Sequence, residues 1–207
     1  MPRALFIAVF FFTMTPLLIS IQWLLGKLGL PGWGFIACNY YRVLRALLRI
    51  HVRVDGEPVR DRAVLFISNH VSWVDIVVIG SIQPVAFVAK SEVRKWPLVG
   101  AIKHAADHAA AEILIQPMSI CYTGLHGIPM GRQHRPLVAW YGDLDFMPHI
   151  KEFIERGAVD AVVSYAEPVA ADGAADRKAM AKTLEGAVRA ITATTLRGRP
   201  KSAHAAE

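Results

Sequence analysis

The chain opens on a long apolar run. From Ala4 to Gly26 it carries no charged residue, which is enough helix to cross a bilayer. Thr13, Thr15, Ser20 and Gln22 dilute the run, and Pro16 in its middle predicts a kink. Leu30-Pro31-Gly32 breaks it. From Trp33 to Arg53 a second pattern begins. Ile36, Tyr40, Val43, Leu47 and Ile50 share one side of a helix, while Arg42, Arg45, Arg49 and Arg53 recur three and four apart on the other. That predicts a basic amphipathic helix of the kind that lies on anionic lipid. A surface helix of a globular domain has the same pattern.

The period then shortens. His51 to Val54 predicts a short strand and Asp55-Gly56-Glu57-Pro58 a turn. Val64-Leu65-Phe66-Ile67 predicts a buried strand, Ser68-Asn69 a tight loop, and the stretch from Asp75 to about Gly80 a helix. Val85 to Ala89 reads as a further strand, Lys90 to Gly100 as a basic segment, and Ile113 to Tyr122 as another strand. Thr123 to Arg135 is rich in Gly, Pro and His and predicts a loop. Pro148 stands early in a helix ending near Gly157. Val159 to Tyr165 is a last strand, closed by Glu167-Pro168, and Asp176 to Thr195 a helix of good formers. The tail from Arg197 is polar, with the composition of disorder. The expected fold is α/β, a mixed sheet flanked by helices with an N-terminal helical membrane anchor. The expected division is 1–53 for the anchoring helices, 54–196 for the α/β domain and 197–207 for the tail.

Composition sharpens this. Of the 207 residues 54% are hydrophobic, the formal net charge is +6, and the mean hydropathy is +0.34. A basic, apolar protein fits an anionic membrane surface or an anionic substrate. Nucleic acid is disfavoured as a partner, because Arg and Lys are scattered and no nucleic-acid module is visible. A signal peptide is disfavoured too: only Arg3 precedes the apolar run, and no small-x-small cleavage site follows. Basic residues after the first segment place the main domain on the cytoplasmic side. Cys38 and Cys121 form no metal or disulfide pattern and read as reduced packing residues. His104 and His108 stand four apart with Asp107 beside them, but the H-E-x-x-H order is absent and no third ligand is evident. No metal site is expected.

The chemistry gathers at one loop. His70 follows the buried strand, where α/β folds place their functional groups, and Asp75 comes five residues later. An imidazole can take a proton near neutral pH, and a carboxylate can fix its tautomer and stabilise the imidazolium. A substrate hydroxyl would supply the nucleophile. Ser72-x-x-Asp75 also has the form of a capping box, in which Asp75 would only satisfy backbone N–H groups. A hydrolase using His70 with water is disfavoured, because no G-x-S-x-G elbow is present.

Asn69-His70-Val71-Ser72-Trp73-Val74-Asp75 resembles the N-H-x-x-x-x-D block of the glycerolipid acyltransferases, which include the 1-acyl-glycerol-3-phosphate acyltransferases. Lys90 to Gly100, KSEVRKWPLVG, resembles the family's K-x-E-L-x-x-x-P-x-x-G segment, and Glu112 to Ile120 its fourth block. Pro136 to His149, PLVAWYGDLDFMPH, resembles the corresponding region of alphaproteobacterial-type members, some of which acylate lyso-ornithine lipid instead of a glycerophosphate. The resemblance implies that His70 deprotonates the acceptor hydroxyl and that Asp75 orients it. It further implies that the alcohol attacks the thioester of acyl-CoA or an acyl carrier protein, with no other cofactor. Lys90, Arg94, Lys95 and Arg132 become candidates for binding phosphate, coenzyme or headgroup. The chain departs from the family between Gly100 and Glu112. The block whose Arg holds the acceptor phosphate and the F-P-E-G-T-R block are absent, as if several tens of residues were deleted. The expected partners are membrane lipids and an acyl thioester donor. The expected product is phosphatidic acid, made from 1-acyl-sn-glycerol-3-phosphate. The alternatives are acylation of lyso-ornithine lipid, or a non-catalytic lipid-associated remnant.

Overall fold

The computed structural model describes residues 2–87, 114–142, 144–170 and 177–198. The chain divides into two compact units, Met1–Arg53 with His70–Val85 and Tyr122–Ala161, and Val54–Asn69 with Ala86–Cys121 and Val162–Glu207.

In the first unit the opening run is one helix, α1 (Pro2–Lys27), continuing through Pro16. It is the one described helix long and apolar enough to cross a membrane. Helix α2 (Trp33–Leu47) comes next. Thr15 and Tyr40 share a hydrogen bond of 2.6 Å, and Phe10 stacks on Tyr40 with ring centres 6.0 Å apart. Arg3 ties the other end. Its guanidinium donates to Leu47 O at 2.9 Å and to Ile154 O at 2.9 Å, carbonyls in the last turns of two helices. Such carbonyls have no partner within their own helix and carry the negative end of its dipole, so a cation suits them.

Helix α2 stops six residues short of the Arg53 expected from its periodicity. Arg49 takes a left-handed φ of 56°, and strand β1 (Ile50–Asp55) begins. The alternation Ile50-His51-Val52-Arg53-Val54 favours a strand over continued helix. Arg49 and Arg53 therefore leave the predicted basic stripe. Arg42 Nε donates to Ser81 O at 3.1 Å and Arg45 Nη1 to Ser81 Oγ at 3.3 Å. These two arginines each reach back to Ser81 with one nitrogen, Arg45 half-buried and Arg42 still exposed.

Helix α3 (Val74–Ile82) buries Val74, Asp75, Val77 and Val78. Gly80 lets α2 approach closely, since a Cβ there would run into the Tyr41 ring. The expected strand over Val85–Ala89 is not formed at Val85–Phe87, and its remaining residues lie outside the described ones.

Strand β3 (Leu114–Leu125) outruns the predicted Tyr122 and turns back into β4 (Ile128–Pro129). His126 and Gly127 both have positive φ, 54° and 78°, as a tight two-residue hairpin turn demands. The segment read as a loop from Thr123 to Arg135 is thus a hairpin leading into a 3-10 helix (Arg132–Leu137). Helix α4 (Phe146–Arg156), ended at Gly157, and β5 (Val159–Tyr165) stand where the pattern put them.

In the second unit β2 (Val64–Ser68) pairs in parallel with β3, from Val64↔Leu114 to Ser68↔Met118. The short β6 (Val169–Ala170), not foreseen from sequence, pairs antiparallel with the start of β3. The buried Gln116 amide fastens the surrounding loops. It donates to Glu57 O and Ala166 O at 2.9 Å each and accepts from Val59 N–H at 2.9 Å. Helix α5 (Arg177–Leu196) buries Leu184, Val188 and Ile191, and Thr192 meets Ser119 at 2.7 Å. Across the sheet the strand order is β1-β5-β3-β2, with β4 and β6 on β3. Ala166 N–H bonds Pro117 O, and His126 N–H bonds Ala158 O, so β5 runs against β3 while β2 runs with it. The sheet is mixed and flanked by helices, as expected.

Candidate active site

Strand β2 ends at Ser68, and the next side chain adds one more rung to its pairing with β3. Asn69 Oδ1 accepts Ile120 N–H at 2.9 Å, and its Nδ2 donates to Ile120 O at 2.9 Å. An asparagine carries donor and acceptor on one planar group, so it can imitate a strand residue after the backbone has turned away. The loop leaves the sheet from this fixed point and presents His70.

His70 Nδ1 lies 2.8 Å from Asp75 Oδ2. The same oxygen accepts Val71 N–H at 2.8 Å and Ser72 N–H at 3.0 Å, and Tyr122 O–H donates to Oδ1 at 2.6 Å. Asp75 is 2% exposed. A buried carboxylate needs such donors, because its charge has lost water. The capping-box and orienting readings of Asp75 hold together. Ser72 Oγ accepts Val74 N–H at 3.3 Å, and Asp75 reaches back over the loop while holding His70. A carboxylate accepts and does not donate, so Nδ1 of His70 carries the hydrogen and Nε2 keeps its lone pair. The imidazole is 69% exposed, so that lone pair is open to an incoming hydroxyl.

The loop is held from outside as well. Trp140 N–H donates to Val71 O at 2.9 Å. The Trp73 indole donates to His149 Nδ1 at 3.2 Å and meets Phe153 edge-on, ring centres 5.4 Å apart. Trp140 lies against Phe146 at 5.1 Å. Burial, then the neighbouring Asp75 charge and the hydrogen bond to it, raise the Tyr122 phenol well above its usual range. It remains a donor.

The structure thus brings together His70 and Asp75. Arg132 opens the 3-10 helix, exposed, and is not hydrogen-bonded to either among the described residues. Lys90, Arg94, Lys95, and the His104–Asp107–His108 group, lie outside the described residues. Sequence reasoning does not single out Tyr122, Asn69 or Trp140 as supports of the site. Tyr122 had a usable signal. It is the last predicted residue of a strand beside β2, and parallel neighbours deliver their carboxyl ends to the same edge.

An exposed imidazole held by a buried carboxylate at a strand's carboxyl end can accept a proton from a hydroxyl, and comparison with known proteins names the family. A model described as "Acyltransferase" matches residues 51–134. A lyso-ornithine lipid O-acyltransferase of Brucella abortus is 33% identical over 243 positions, covering 88% of this chain and 91% of the relative. One from Rhizobium meliloti is 32% identical over 246 positions, covering 90% and 84%. A 1-acyl-sn-glycerol-3-phosphate acyltransferase of Neisseria gonorrhoeae is 42% identical over 43 residues, 21% of this chain and 17% of the relative. The crystal structure of the 1-acyl-sn-glycerophosphate acyltransferase from Thermotoga maritima matches the fold with a TM-score of 0.54 at 18% identity, covering 92% of this chain and 93% of that one. The chain belongs to the acyltransferase family. In the Brucella alignment 88% of this chain is about 182 residues against 243 positions, so about sixty positions face no residue here.

Proposed function

We propose that the chain transfers a fatty acyl group from acyl-CoA or acyl carrier protein to the hydroxyl of a membrane lysolipid, and that lyso-ornithine lipid is the acceptor. The observation that carries the chemistry is the 2.8 Å His70–Asp75 contact on an imidazole left open at Nε2. The acceptor O–H gives its proton to His70 Nε2 as its oxygen attacks the thioester carbonyl. Asp75 holds the ring and stabilises the imidazolium. The proton then passes to the departing thiolate, leaving an ester and a free thiol. The thioester is already activated, so no metal or bound cofactor enters the scheme.

Two features favour lyso-ornithine lipid. The relatives that match over most of the chain carry that name. An ornithine headgroup bears no phosphate, so the absent phosphate-holding block costs it less than it costs a glycerophosphate. The short Neisseria match favours 1-acyl-sn-glycerol-3-phosphate as the second reading. Lys90, Arg94, Lys95 and Arg132 remain the candidates for donor or headgroup contacts.

The anchor reads as re-entrant. Arg3 bonds Leu47 O, so α1 starts where α2 ends, and the two form a hairpin open toward the protein. Helix α2 has 15 residues, roughly 22 Å of helix against about 30 Å of hydrocarbon. The exposed Trp23, Leu24, Leu28, Leu30 and Phe35 would enter one leaflet, and the domain would stay on the cytoplasmic face.

Membranes carrying the chain, supplied with labelled acyl-CoA or acyl carrier protein, test this. Transfer to lyso-ornithine lipid that disappears with His70→Ala is the expected result. Transfer to lysophosphatidic acid alone selects the second reading. Equal signal from both chains, with folded protein, means a lipid-associated protein without turnover.

A further inference from the structure

Asp75 is the one buried carboxylate among the described residues, and its two oxygens are used unequally. Oδ2 collects His70 Nδ1, Val71 N–H and Ser72 N–H, all from its own loop. Oδ1 has a single partner among the described residues, the Tyr122 hydroxyl at 2.6 Å, which comes from β3. Those three donors already set the torsion of the carboxylate, because Oδ2 lies off the Cβ–Cγ axis. A donor on the far oxygen, anchored in a strand, ties the same carboxylate to the sheet and takes part of its charge. The ring of Tyr122 is buried on β3.

We infer that Tyr122 is a positioning residue of this acyltransferase site: its hydroxyl locks the Asp75 carboxylate from the sheet side and so fixes how His70 is held and how much negative charge it feels. The inference rests on the reading of His70 as the base. The Tyr122 hydroxyl is bonded to Asp75 and not to His70 among the described residues, so its effect on the imidazole passes through Asp75. The O–H draws charge toward Oδ1, and without it more charge stays on the oxygen facing His70. The other titratable groups on elements packed against α3 are placed elsewhere. Arg42 and Arg45 bond Ser81 at the far end of the helix, Tyr41 lies at Gly80, and His149 is bonded to Trp73.

Tyr122→Phe keeps the ring and deletes the donor. In detergent-solubilised full-length protein it should lower kcat about tenfold with an unchanged KM for the lysolipid. The acid limb of kcat/KM should move to higher pH, because a more negative carboxylate favours the imidazolium. Difluorotyrosine at 122, a stronger donor in the same place, should move the limb the other way. A purely structural tyrosine would instead reduce the folded fraction and leave the limb where it was. Ring-carbon NMR of His70 reads the same displacement without turnover: the imidazole should titrate at higher pH in the Phe variant. Unchanged limb, titration and kcat in folded Tyr122→Phe would overturn the inference. His70→Ala, run alongside, separates the two ideas. If it retains activity, the base reading fails. If it is inactive while Tyr122→Phe behaves as the unaltered chain, only the role of Tyr122 fails.

Discussion

At the scale of the residue, His70 and Asp75 divide exposure and burial between them, and substitutions at the two should therefore differ. His70→Ala should lower kcat by about 10²–10⁴, the usual worth of a positioned base, and leave the melting temperature nearly unchanged, because the ring is 69% exposed. Asp75→Asn should cost activity on the same scale and also about 1–3 kcal/mol of stability, since it disturbs a buried, fully donated carboxylate. Circular-dichroism melts beside acyl-transfer rates check the contrast. A stable Asp75→Asn protein would mean the loop does not depend on that charge. Asn69→Asp makes a finer test. The carboxylate still accepts Ile120 N–H but can no longer donate to Ile120 O, so a loss of about 1–3 kcal/mol is expected from one unsatisfied carbonyl and a repelled charge. The pair His70–Asp75 was legible from spacing and residue type. Asn69 was legible only as a motif letter and Tyr122 only as a strand residue, because their partners stand about fifty positions away in sequence.

At the scale of the element, one cation fastens the open end of the helical hairpin. Arg3 serves the last turns of α2 and α4 together. Burial and the neighbouring Arg49 lower its proton affinity from the usual guanidinium range, yet it stays charged at any physiological pH. Arg3→Ala should release the start of α1 and cost about 1.5–3 kcal/mol, the worth of hydrogen bonds to a charged group. Thermal unfolding in detergent measures this. No shift would mean that the Thr15–Tyr40 and Phe10–Tyr40 contacts hold α1 on α2 without it. The opposite end of the hairpin calls for the opposite chemistry. Trp23→Glu with Leu24→Glu should move the protein from the membrane pellet to the soluble fraction without loss of fold, because both side chains are exposed and charges are costly in the acyl region. Unchanged sedimentation would place the anchor elsewhere. Periodicity misplaces the end of α2 because Ile50 to Arg53 satisfies both a helical and an alternating pattern. The left-handed Arg49 decides between them, and that turn is fixed by the pairing of β1 within the sheet.

At the scale of the whole molecule, buried phenols set an alkaline limit. Burial raises Tyr165 to about 12, and burial beside the Asp75 charge raises Tyr122 well above its ordinary range. Each is then more protonated folded than unfolded between the unfolded value near 10 and its folded value, so stability is whole below pH 10 and falls as the pH climbs through that window. For Tyr165 the displacement of about two units corresponds to roughly 2–3 kcal/mol. Urea midpoints at pH 8 and pH 11.5, for the unaltered chain and Tyr165→Phe, test it. The variant should lose less on going alkaline, and equal losses would rule the phenol out.

The sequence by itself determined the apolar helix, the strands β2, β3 and β5, the helices α3 and α4, and the His–Asp spacing. Each of these is written locally, in a period of two or of 3.6 or in a five-residue interval. Tertiary structure decided what no local pattern carries. It turned Thr123–Arg135 into a hairpin, set Arg42 and Arg45 on Ser81, and brought Tyr122 under Asp75. At Ser81 and Asp75 the physical reason is that a buried polar group must find a partner; in all three cases the partner depends on the strand or helix that the fold lays beside the segment.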